Sequence, residues 1–104
     1  MSSYVVAFRA RPDRAPVPGE DQEWAGWFAR LGPAITDPGN RVGATRTLPA
    51  PADSGSDRGD AAGRVLTGYL VITAADLDAA AVLAGGCPGL AHDVQVEVAE
   101  VVGS

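Results

Sequence analysis

The chain contains no lysine: its eight basic residues are all arginine (Arg9, Arg11, Arg14, Arg30, Arg41, Arg46, Arg58, Arg64). They are scattered along the chain, and the acidic residues outnumber them to give a net charge of −5. No basic face is offered to a phosphate backbone, so nucleic acid is not an expected partner. Alanine, glycine, proline and arginine are frequent, and the missing lysine reads as GC-rich codon usage before it reads as function. Cysteine occurs once, at Cys87, and cannot close an internal disulfide. That fits a reducing compartment and excludes a stapled secreted scaffold or a multi-cysteine zinc site. Long apolar runs are lacking too, none nearing the ~20 residues that span a bilayer, so no membrane partner is expected. The opening MSSYVVAFRARPD has no basic segment ahead of its short apolar run and no small-residue cleavage site after a long one. A secretory signal is therefore not expected, and the expected address is the cytoplasm. With one histidine, one cysteine and scattered carboxylates, no set has metal-ligand spacing. The glycines at 39, 43, 55 and 59 match neither a phosphate loop nor a dinucleotide fingerprint. No metal or cofactor is expected.

What is present is the composition of one globular domain over residues 1–104, 46% hydrophobic and 20% charged. YVVAF, residues 4–8, predicts a strand that breaks into the proline-rich RARPDRAPVPG. Trp24, Trp27, Phe28 and Leu31 then stand at i, i+3, i+4 and i+7, which predicts a helix over about 20–31 with four large apolar side chains on one stripe. Glu20, Asp21 and Glu23 suit its positive N-terminal end, Arg30 its last turn, and Gly32 with Pro33 its stop. VGATRTL, 42–48, reads as a short strand. Residues 49–63 have almost nothing large to bury and predict a mobile loop, either a tolerated insertion in a hairpin or a lid.

VLTGYLVI, 65–72, is nearly continuous in apolar residues and predicts a strand near the middle of a sheet, covered on both faces. A second helix is expected after Thr73 as N-cap, with Asp76 completing a capping box and Ile72 stapled onto Leu77. Its stripe is Leu77, Ala80, Ala81 and Ala84, and Gly85 with Gly86 end it. Alternation of Val94, Val96 and Val98 with Gln95, Glu97 and Ala99 closes the chain with a strand. The order βαββαβ predicts an α+β, ferredoxin-like fold: a four-stranded antiparallel sheet with helices on one face.

Several strings in that order resemble the YCII-related family, including its DGPF-type branch, of the dimeric α+β barrel superfamily. They are Trp24, Trp27, Phe28, Leu31 and Gly32 in the first helix, Gly68 and Tyr69 in the third strand, and Asp76, Leu77, Asp78, Ala80 and Ala81 in the second helix. The strongest is Gly86, Cys87, Pro88, Gly89 and Leu90 followed by Val96, Glu97 and Val98. The likeness implies a homodimer whose two open sheet faces pair into a barrel, which would cover the second face. The DGPF string is missing here. The His and Asp pair proposed as catalytic in that family has no counterpart histidine in or before the first helix.

His92 is then the candidate base. A neutral imidazole exchanges protons near physiological pH, so His92 is expected either to act on a bound carbon acid or lactone or to be a solvent-facing loop histidine. Asp93, Asp37 and Asp76 are its candidate acidic neighbours. Cys87, just past a helix C-terminus, reads as a small packed residue. Trp27 and Tyr69 are candidate pocket walls, and Gln95 and Glu97 point either into a barrel cavity or into solvent. Two functions stay open: a dimeric barrel binding a small organic molecule in a cleft, with proton-transfer, lyase or isomerase chemistry at His92, or a non-catalytic dimeric interaction or regulatory module.

Overall fold

The β-branched and aromatic residues at the start of the chain form one of the two interior strands of the sheet. The computed structural model describes residues 1–49 and 63–103. The loop expected over 49–63 lies, apart from its two ends, outside them. The elements are β1 (Ser2–Ala10), α1 (Glu20–Leu31), β2 (Ile35–Arg41), β3 (Val65–Ala74), α2 (Leu77–Ala84) and β4 (Gln95–Glu100), with short 3₁₀ turns at Gly32–Ala34 and Pro88–His92. The four strands form one sheet in the order β2-β3-β1-β4, every pair antiparallel. This α+β arrangement is compatible with a ferredoxin-like fold. No helix among the described residues is long and apolar enough to cross a membrane.

Both helices pack on the same sheet face. Tyr4, Val6, Phe8 and Ala10 of β1 and Leu70, Ile72 and Ala74 of β3 join Trp27, Leu31, Ala80 and Ala84 in one core. Ala80 and Ala84 of α2 are buried and let its backbone come close to the sheet, whereas Ala81, expected on the same stripe, is exposed. The α1 stripe forms as read: Trp27 and Leu31 are buried and Trp24 and Phe28 partly so. Four rings interlock edge to face, with centroids 5.1 Å apart for Phe8 and Trp24, 5.8 Å for Trp24 and Trp27, and 5.6 Å for Trp27 and Phe28. Each such pair adds about 0.5–1.5 kcal/mol beyond burial. Trp27 also donates its indole N–H to the Leu83 carbonyl at 3.1 Å, tying α1 to α2.

Three expectations are corrected. The second strand is Ile35–Arg41, ahead of the expected 42–48. Pro38 and Gly39 hide it in the sequence. At an edge of the sheet the missing proline N–H is tolerated, and register shifts on both sides of Asp37 absorb the Pro-Gly pair. The second helix starts later than expected, because Thr73 stays in the ladder opposite Ser3. Asp76, not Thr73, is its N-cap, accepting from the Ala79 N–H at 2.8 Å, and Leu77 is 51% exposed where a staple was expected. The third strand is covered by helices on one face only: Leu70 and Ile72 are fully buried, while Tyr69 and Val71 are not.

Register defines the second face. Val5, Ala7 and Arg9 stand opposite Ala99, Glu97 and Gln95 on one side, and Val5 and Ala7 stand opposite Val71 and Tyr69 on the other. No described element covers this surface.

Gly39 holds β2 in place. Its φ is +69°, and a Cβ there would lie 1.7 Å from the Tyr69 carbonyl oxygen. Gly39→Ala should therefore cost about 2 kcal/mol or more in urea unfolding, because both the left-handed backbone and the strand contact resist it. Gly43→Ala, with nothing within 4 Å, is the control and should be near neutral. Equal, small effects at both positions would contradict the close approach of β2 to β3.

Candidate functional site

The prolines at 12, 16 and 18 prevent regular structure between β1 and α1, and Gly19 enters the helix in a left-handed conformation without a side-chain cap. Glu20 instead fixes the chain just ahead of the helix. Its carboxylate accepts from the Val17 N–H at 3.1 Å and, one helical turn on, from the Trp24 indole N–H at 3.0 Å. The Arg14 guanidinium pairs with the same carboxylate. Glu20 is only 5% exposed. Burial by itself would push its pKa up, but the bond from Arg14, the Val17 N–H, the Trp24 indole and the arginine charge together outweigh it. The pKa falls from 4.5 to about 2.

Arg14 also donates through Nε to the His92 carbonyl at 2.7 Å, so the β1–α1 loop clasps the turn before β4. Beside it Asp93, with φ +65°, accepts from Arg64 at 2.9 Å and lies 3.6 Å from Arg11.

These contacts form one wall of a cleft of about 540 Å³ between α1, the β1–α1 loop and the sheet. Its size is within the range of about 300–1,000 Å³ common for small-molecule sites. Phe8, Trp24, Phe28 and Val94 supply apolar lining, Pro38–Arg41 and Thr67–Tyr69 belong to the β2 and β3 side, and Arg11, Arg14, Arg41, Glu20 and Asp21 are the charged lining. No protein-family model, no curated protein and no solved structure matches this chain.

The residues singled out in the sequence do not converge. Tyr69 borders the cleft, but its side chain alternates with the buried Leu70 and Ile72 and lies on the uncovered sheet face, where its phenol accepts from the Asn40 amide at 3.4 Å. Trp27 is 2% exposed and belongs to the core, and its neighbours Trp24 and Phe28 face the cleft in its stead. His92 lies behind Arg14 and does not line the cleft. Its Nε2 is 3.0 Å from Oε1 of Glu23, which is the acidic neighbour in place of Asp93, Asp37 or Asp76. An ionised carboxylate only accepts, so Nε2 carries the hydrogen of this contact and Nδ1 is the other ring position. Gln95 and Glu97 are exposed on the uncovered sheet face, Glu97 3.5 Å from Arg9, and line a separate depression of about 420 Å³. Cys87 is 3% exposed and packed, as read. Burial pushes its thiol up to about 11, against a partly offsetting pull from the Gly89 and Leu90 backbone, so it stays a neutral thiol. Among the described residues no group of three or more His, Cys, Asp and Glu side chains is placed to hold a metal.

Arg14 and Glu20 were missed as a site. The i, i+4 spacing of Glu20 and Trp24 could have indicated their bond, whereas the Arg14 contact runs across a proline-rich loop whose path no periodicity predicts.

The depressed pKa of Glu20 sets a pH dependence. Stability from its ionised form is fully present above pH 4.5 and is lost as the pH falls toward about 2, amounting to on the order of 3 kcal/mol. Glu20→Gln should flatten the change of urea midpoint between about pH 5 and pH 2 and lower stability at pH 7. A variant with the same acid slope as the parent would show that Glu20 is not paired in solution.

Proposed function

We propose that this chain is a small-molecule-binding protein of YCII-like type, working in the reducing cytoplasm, with its ligand in the cleft beside α1. The observation that carries the reading is the cleft itself: about 540 Å³, with aromatic side chains from a strand and a helix and arginines in its lining. Its aromatic wall is preorganised, because the Trp24 indole is already bound to Glu20 and packed edge-on to Phe8. Side chains held in place lose little freedom when a ligand arrives.

The acting unit in this proposal is a homodimer. Val5, Ala7, Tyr69, Val71 and Ala99 share the uncovered sheet face, with Arg9 and Glu97 of opposite charge beside them. A second copy related by a twofold axis presents the same apolar centre and both charges. Sedimentation at micromolar concentration is expected to find two chains per particle.

A second reading, proton transfer with His92 as base, is supported by the contact with Glu23, since a carboxylate fixes the tautomer and orientation of an imidazole. Against it, His92 is outside the cleft lining.

One experiment separates the two. A library of small organic metabolites is screened by thermal shift, and hits are retested on Trp24→Ala and His92→Ala. Binding in the cleft predicts stabilisation lost in Trp24→Ala and kept in His92→Ala, with any turnover also kept. Turnover abolished by His92→Ala while binding survives would favour the catalytic reading. Hits that bind Trp24→Ala as tightly as the parent would overturn the cleft as the site.

A further inference from the structure

We infer that the cleft selects flat aromatic carboxylates, the Arg41 guanidinium taking the carboxylate and the rings of Phe8, Trp24 and Phe28 taking the aromatic body. This rests on the reading that the cleft is the ligand site and adds the chemical class of the ligand.

The charges lining the cleft differ in sign from the chain as a whole. The chain carries −5, whereas the lining sets Arg11, Arg14 and Arg41 against Glu20 and Asp21, three positive charges to two negative. The three arginines are not equivalent. Arg14 is committed to Glu20 and to the His92 carbonyl, and Arg11 lies 3.6 Å from Asp93. Arg41 has no side-chain hydrogen bond or ion pair among the described residues, while its backbone is fixed opposite Gly68 at the end of β2. It is the one cation of the lining with its donor fork open to a ligand.

The acids of the lining do not offer the same opportunity to a cation. Glu20 already accepts from three partners, and Asp21 is in the first turn of α1, where the helix dipole balances it. The Thr67 hydroxyl nearby is engaged as well, donating to the Phe8 carbonyl. What remains for a ligand is a guanidinium together with aromatic surface. Planar aromatic acids match both, because guanidinium pairs with carboxylate in two parallel bonds and rings prefer rings in offset or edge contact.

The probes are 2-naphthoate, its uncharged isostere 2-naphthamide, and cyclohexanecarboxylate. The readout is the indole N–H resonance of Trp24 in the full chain, assigned with Trp24→Phe. Naphthoate should shift that resonance and bind roughly fivefold to tenfold more tightly than naphthamide, with a preference that shrinks as salt rises. Arg41→Gln should remove the preference by weakening naphthoate alone, and Arg30→Gln, in the last turn of α1 and outside the cleft, should leave it intact. Cyclohexanecarboxylate should bind more weakly than naphthoate.

Equal binding of naphthoate and naphthamide, unchanged by Arg41→Gln, would overturn the charge selection and leave the cleft standing as the ligand site. If neither naphthalene probe moves the Trp24 resonance but a metabolite from the screen does, the aromatic carboxylate class is wrong and the cleft again stands. If nothing moves it, both inferences fall together.

Discussion

A single buried carboxylate organises the cleft side of the molecule. Glu20 begins α1, and its three partners come from three places: the loop after β1, the backbone just before the helix, and the indole one turn along. Withdrawing a carboxylate from water is unfavourable, and here the hydrogen bonds and the arginine charge outweigh that penalty, as the low pKa of about 2 records. The consequence is geometric. Arg14, held by Glu20, reaches on to the His92 carbonyl, so the irregular loop, the helix start and the turn before β4 form one connected wall. Trp24, held by the same carboxylate, is oriented toward Phe8 at the floor of the cleft.

Much of the fold could be read where one periodicity dominates. The α1 stripe of Trp24, Trp27, Phe28 and Leu31 and the alternating valines of β4 each bury the face that their spacing predicts. Misreadings occurred where local signals competed with tertiary pairing. Pro38 and Gly39 mark a turn in any short window, yet an edge position lets ITDPGNR pair with β3 through register shifts. Thr73 is a sound N-cap by its neighbours, but the ladder to Ser3 holds it in extended conformation and transfers the capping to Asp76. In both cases strand pairing within the sheet, of β2 with β3 and of β3 with β1, overrides the local signal.

The site was less legible than the fold. Rarity drew attention to His92 and Cys87, and rarity is not geometry: one contacts Glu23 outside the cleft and the other is a packed, neutral thiol. Trp27 and Trp24 share one stripe, and no sequence rule states which of two tryptophans three residues apart is sealed beneath the other helix. The bond from Trp27 to Leu83 places it inside, leaving Trp24 and Phe28 for the cleft. The residues that define the cleft chemically, Arg14, Glu20 and Arg41, come from a proline-rich loop, a helix start and an edge strand, and are neighbours through topology alone. On the proposed reading, the sheet supplies the surface for a second copy while the opposite face, with its helix and loop, holds the ligand.

The most direct test of this account is a double-mutant cycle between Arg14 and Glu20, read by urea unfolding at pH 7 with Arg14→Gln, Glu20→Gln and the pair. A carboxylate and guanidinium bound to one another out of water should couple by about 1–3 kcal/mol, the double variant losing less stability than the two single losses combined. Losses that add to within about 0.5 kcal/mol would mean the two groups act independently, and the wall built on their contact would have no basis.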